Sequence, residues 1–166
     1  MRELGRQERR AYEGDSDRPL GSFLAIMGVY AGAVAGGSAL LRARQRVLPE
    51  HVQAWDLLLI SVATHKLSRL LAKDPVTSPL RAPFTTFEGT SGPAELRERV
   101  RGTGARRALG ALVTCPFCLA LWVATGFGFG LVAAPRVTRL AASVLTAVAA
   151  ADALHLAYGA LEEKAS

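Results

Sequence analysis

Charged and apolar positions fall in blocks along this chain. From Gly21 to Leu41 there is no ionisable side chain except Tyr30, and from Ala108 to Pro135 none except Cys115 and Cys118. A helical residue rises ~1.5 Å and the hydrocarbon core of a bilayer is ~30 Å thick, so runs of about 20 apolar residues are long enough to cross it. The pattern predicts an all-α, polytopic membrane protein with four spans, at residues 21–41, 54–71, 115–134 and 137–161. The second span, "AWDLLLISVATHKLSRLL", is the least hydrophobic. Its Ser61, Thr64, His65 and Ser68 recur at i, i+3, i+4 and i+7, which is one face of a helix. Lys66, Arg69 and Lys73 form a basic stripe beside them. Such a helix turns its polar side to other helices and lets its cations snorkel to the headgroups. An amphipathic helix lying on the membrane reads the same way.

Between the spans the chain is polar. Residues 1–20 and 162–166 are tails, and residues 73–107 form the one substantial loop. There, "KDPVTSPLRAPF" is turn chemistry, with Asp74 as a cap before Pro75, and Pro79 and Pro83 preventing a long helix. "SGPAELRERVR" predicts a short amphipathic helix led by Pro93. The link "APRVTR" is short, so the third and fourth spans form an antiparallel hairpin.

Glycine adds packing faces. Gly28, Gly32 and Gly36 recur every fourth residue in the first span, and Gly126 and Gly130 pair in the third. That spacing lets another helix approach closely, within this chain, in a second copy, or in a membrane-protein partner. A loose scatter of small residues in an Ala/Gly-rich chain is the alternative, and the threefold register favours a packing face.

Charge sets the orientation. The net charge is +6. No groove-reading motif or aromatic–basic interleaving accompanies it, so nucleic acid is not the expected partner; the lipid bilayer is. Thirteen Lys/Arg lie in the N-terminal tail, the 73–107 loop and the C-terminal tail, against five in the other two loops. This bias predicts a multi-pass cell-membrane protein with both termini and the large loop in the cytoplasm. The first apolar run is too long, and its leader too long and too acidic, for a cleaved signal peptide. No Ser-His-Asp array, P-loop or HExxH motif occurs, which argues against a hydrolase or ATPase.

The candidate chemistry is in "TCPFCLALW". Cys115 and Cys118 are the chain's two cysteines, three apart around Pro116. Proline is welcome in a first helical turn and Thr114 is a competent cap, so the sequence reads as the start of the third span. The cysteines then share a face at the cytoplasmic headgroup level, where a helix dipole favours a thiolate. His65, Asp152 and His155 reach a similar depth. Two thiols, two imidazoles and a carboxylate make a zinc-type ligand set if they converge. Packing cysteines, a redox pair and a metal site all remain open, and zinc is the one cofactor the residues suggest. Asp152 and His155 also read as a mutually satisfied pair.

Two blocks carry a resemblance. "KLSRLLAKDPVTSPLRAPF", with Arg69, Asp74, Thr77, Arg81, Pro83 and Phe84, is followed some thirty residues later by "TCPFCLALW", with Cys115, Pro116, Cys118 and Trp122. Over about residues 54–161 the chain resembles the bacterial membrane proteins catalogued as domain of unknown function 1360. Family members often carry Trp or Tyr between the cysteines, where this chain has Phe117. The resemblance implies the architecture rather than an activity, with sporulation among the family's associations; the function expected of the chain is a small, non-enzymatic structural or interaction component of the cell envelope. It also implies that Asp74, Arg81 and the cysteine turn work together; separately, Asp74 and Arg81 are seven apart across a proline-containing turn, a spacing that predicts a pair at the headgroup boundary. A thiol-dependent redox or metal-binding membrane protein is the alternative. A small transporter or channel subunit lined by the polar stripe of the second span is a further one.

Overall fold

The computed structural model describes residue 12 and residues 19–165. Most of the tail expected at residues 1–20, and Ser166, lie outside the described residues. The elements are α1 (Leu20–Ala43), α2 (Ala54–Lys73), α3 (Ser78–Arg81), β1 (Thr85–Gly92), β2 (Glu95–Val100), α4 (Gly104–Thr114), α5 (Pro116–Ala133) and α6 (Pro135–Ala165). Helix dominates, and α1, α5 and α6 are long and apolar enough to cross a membrane. The 18 residues of α5 make ~27 Å of helix.

Helix α2 falls short of those three in hydropathy, yet it packs against both α5 and α6. The long helix that is not apolar enough to be a candidate span is therefore an inner one. Its polar groups turn inward or back onto themselves: Asp56, Thr64 and Ser68 are buried. The Ser61 hydroxyl donates to the Leu57 carbonyl (2.7 Å) and Ser68 to the His65 carbonyl (3.0 Å). Two of the four stripe residues, Ser61 and Ser68, are thus satisfied by their own helix, while the buried Thr64 hydroxyl has no hydrogen-bond partner among the described residues.

Helices α2 and α6 run parallel. Arg139 holds Asp56 through two bonds of 2.8 Å, the Thr146 hydroxyl reaches the Leu59 carbonyl at 3.3 Å, and Lys66 meets Asp152 at 2.5 Å. Between these ties sit Leu59, Ala63 and Ala142, with Phe127 of α5 and Leu145 packed against them. Ala63 and Ala142 are 0% exposed, so small side chains set the close approach of the two helices.

Helix α5 turns into α6 through a single residue, Ala134 (φ −148°, ψ 68°). The antiparallel hairpin is there, with a tighter joint than the expected link. A methyl on Gly130 would come within 2.6 Å of the Thr138 hydroxyl oxygen. Helix α1 lies beside α5 and α4. Tyr30 shares a hydrogen bond with Thr125 (2.7 Å) and meets Trp122 edge-on with ring centroids 5.1 Å apart.

Within the chain the glycine expectation holds only at Gly130. Among the described residues no neighbouring atom lies within 4 Å of a Cβ built at Gly28, Gly32, Gly36 or Gly126. In α1 it is Gly37 that meets a neighbour, the Phe129 ring at 2.9 Å. The i, i+4 stripe faces away from the chain's own helices, because α1 is held by its Tyr30 and Gly37 side.

The all-α expectation also needs correction. "SGPAELRERVR" forms the turn and second strand of an antiparallel hairpin, with Gly92 opposite Glu95 and Thr85 opposite Val100. Pro93 and Ala94 make the turn, and Ala94 takes φ 56°. A helix would place Glu98 on a solvated face; the strand alternates inward and outward, and sends Glu98 into the protein. Gly89 (φ 135°) sits where the register slips past Glu88, a conformation open to glycine alone at little cost.

Candidate functional site

The loop motif folds into a knot around Arg81. Asp74 caps nothing as an N-terminus; it ends α2, and its Oδ1 accepts the Val76 N–H at 2.8 Å. That turn brings Thr77 and then Arg81 back under the last carbonyls of α2. Arg81 is 1% exposed. Its Nη1 donates to the Leu71 carbonyl (2.8 Å) and the Thr77 hydroxyl (2.7 Å), and its Nη2 donates to the Asp74 carbonyl (3.0 Å). The Nε meets Glu98 Oε2 at 2.5 Å. Thr85 donates to the Arg81 carbonyl at 3.0 Å and lies 3.2 Å from Glu98 Oε1. A buried charge is tolerated only when its hydrogen bonds and counter-charge are supplied together, and here both are.

The expected Asp74–Arg81 side-chain pair is therefore replaced. Arg81 touches Asp74 through its backbone, and its ion partner is Glu98 of β2. The other motif residues complete the same joint. Arg69 pairs with Glu95. The Pro83 carbonyl accepts from Arg106 of α4 (2.9 and 2.5 Å), and the Phe84 carbonyl accepts from the Arg101 N–H (2.9 Å). A methyl on Gly110 of α4 would meet Val100 at 2.5 Å and the Phe84 carbonyl oxygen at 3.1 Å. The hairpin is thus fixed to α2 from one side and to α4 from the other. Its outer surface stays open, with Phe87 63% exposed.

His65, Asp152 and His155 do line one space, a cavity of about 520 Å³ between α2, α6 and the hairpin turn. Their roles differ from the sequence reading. Asp152 is paired with Lys66 rather than His155. Lys73, Asp74 and Glu95 share the walls, so the space is bordered by charges of both signs. Cys115 and Cys118 are not among its lining residues, and no three His, Cys, Asp or Glu among the described residues are placed to share a metal ion. The sequence-based convergence of thiols and imidazoles is absent.

The cysteine turn has its own geometry. Cys115 breaks the chain between α4 and α5 with an extended backbone (φ −103°, ψ 106°) and caps α5 itself. Its Sγ accepts the Cys118 N–H at 3.3 Å. Thr114, the expected cap, ends α4 and sends its hydroxyl to the Gly110 carbonyl at 2.8 Å. Pro116 follows at the first helical position, where its missing N–H costs nothing. The two thiols are free and touch, with Sγ–Sγ 2.7 Å; Cys118 is exposed and Cys115 half-buried.

Sequence reasoning missed Glu98, Glu95, Asp56 and Arg139. The last two carried a weak signal, as opposite charges close to the starts of their helices, Ala54 and Pro135. Glu98 carried one only in the alternation of β2.

The profile of the family described as "Protein of unknown function (DUF1360)" matches residues 59–158. The chain is similar to the sporulation protein YjcA of Bacillus subtilis (strain 168), at 32% identity over 76 residues. That alignment covers 44% of this chain and 64% of the relative. No solved structure matches.

Proposed function

The chain belongs to the DUF1360 family of proteins of unknown function, and from that premise we propose that it is a non-enzymatic, four-span membrane component that presents its β-hairpin to a partner in the cytoplasm. The relative's name suggests sporulation as the setting. One observation carries the reading: an exposed hairpin is clamped to the end of α2 by a fully buried arginine. A loop meant only to connect spans has no need of such a clamp. A loop that must hold a surface in one orientation does, because ordering it beforehand removes part of the entropic cost of association. Phe87, large and exposed on β1, is the anchor such a surface offers.

The orientation follows from the basic asymmetry of thirteen Lys/Arg against five. The parallel course of α2 and α6 fits it, since both then run inward and bring the hairpin end, the C-terminal helix end and the cysteine turn to one side. A reporter active only outside the cytoplasm, fused after Pro49, after Gly92 or after Ser166, should be active at Pro49 alone. Activity at Gly92 would reverse the reading.

The partner is tested in cells by a photo-crosslinking residue at Phe87, with Leu154 of α6 as the lipid-facing control. A discrete protein adduct is expected at Phe87 and only lipid adducts at Leu154. The Phe87 adduct should fade in Arg81→Ala, which frees the hairpin. Lipid adducts alone at Phe87 would sink the proposal.

A further inference from the structure

We propose that Cys115 and Cys118 form a reversible dithiol–disulfide site at the joint between α4 and α5, exchanging electrons with an external disulfide. The chain's two cysteines lie three residues apart, and both are free, with their sulfurs in contact at 2.7 Å. Packing does not account for that placement. A cysteine packed as a small hydrophobe inside the protein is typically among the most buried residues, whereas Cys118 lies on the outer surface of the first turn of α5, at the headgroup level on the four-span reading. A metal does not account for it either, since no third His, Cys, Asp or Glu among the described residues joins the pair. What the turn does provide is a pair of reachable sulfurs that can close on each other through side-chain movement alone.

The two sulfurs are not equivalent. Cys115 caps an 18-residue helix, and its Sγ receives the Cys118 N–H at 3.3 Å. A helix N-terminus and a donated N–H both favour a sulfur anion. Cys115 is therefore the attacking thiol, and Cys118 the resolving one. In the first step the Cys115 thiolate attacks one sulfur of the external disulfide. That bond breaks, a mixed disulfide forms, and one external thiolate leaves and takes a proton. In the second, Cys118 gives up its proton and attacks the Cys115 sulfur; the mixed bond breaks and the second external thiol departs. The chain loses two electrons and two protons, and the external disulfide gains both as two thiols. Small-molecule and protein disulfides share this chemistry.

The site is independent of the hairpin's partner. It can fail while the Phe87 adduct persists, and the reverse also holds. The test uses the full chain purified in detergent and equilibrated across mixtures of reduced and oxidised glutathione. A parallel series uses a disulfide-bonded protein as oxidant. Samples are quenched in acid and labelled with a thiol-specific mass tag. In at least one series the chain should pass between two labelled thiols and none, with little singly labelled species, and dithiothreitol should restore both. Cys118→Ser should accumulate a mixed disulfide on Cys115. Cys115→Ser should form its adduct at least about tenfold more slowly. Melting curves matching the unmodified chain would confirm that both variants fold. Two thiols that stay reduced in both series would overturn the proposal. So would singly labelled chain as the main oxidised form, or equal adduct rates in the two variants.

Discussion

A guanidinium with almost no exposed surface must have its donors met individually, and at Arg81 four hydrogen bonds do so. Removing one member of a buried ion pair leaves the other uncompensated, at a cost of about 3–5 kcal/mol. Arg81→Ala should therefore lower the thermal midpoint in detergent sharply. Glu98→Ala added to it should lower the midpoint further by much less than Glu98→Ala does alone, because the residues share one interaction. Asp74→Ala should cost less than either, since its carboxylate holds only the Val76 N–H. Fully additive Arg81 and Glu98 losses would contradict the pairing. Arg81 and Asp74 were legible in the sequence as residues that matter, but their pairing was not. Spacing along a proline-rich turn showed that the two are near each other. It could not show that the carboxylate Arg81 needs arrives from a strand 17 residues away.

At the scale of elements, what was legible was local. Apolar runs marked α1, α5 and α6, and Pro116 marked the start of α5, because hydropathy and a missing N–H act within a few residues. The hairpin was hidden because "ELRERV" satisfies two periodicities. Its leucine, arginines and glutamates suit a helix as readily as a strand, and the choice is made by β1 and α4 pressing on it. The glycines show the same limit. Their spacing is visible in the sequence, but which of them a neighbour approaches is not. Gly110→Ala should destabilise the protein, since its methyl would collide with Val100 and the Phe84 carbonyl. Gly32→Ala should be neutral or stabilising by up to ~1 kcal/mol, the difference in helix propensity. Denaturation of the two variants side by side measures this. A loss at Gly32 as large as that at Gly110 would mean that the outward stripe of α1 is packed against something outside this chain.

For the molecule as a whole, the ion pairs between α2 and α6 carry a consequence for how it is made. Asp56 waits for an arginine 83 residues downstream, and Lys66 for an aspartate 86 residues downstream. During synthesis α2 leaves the ribosome long before either partner exists. A lone carboxylate and ammonium are expensive in hydrocarbon. On the four-span reading, α2 then rests at the interface as an amphipathic helix and crosses only when the α5–α6 hairpin arrives with Arg139 and Asp152. The two sequence readings of this segment, crossing the membrane or lying on it, become successive stages of one biogenesis. Chains truncated after Ala134 should leave α2 extractable or wrongly placed, judged by cysteine accessibility at positions introduced along it. The full chain should protect those positions, and Asp56→Ala together with Lys66→Ala should let α2 insert early, before its partner helix is translated.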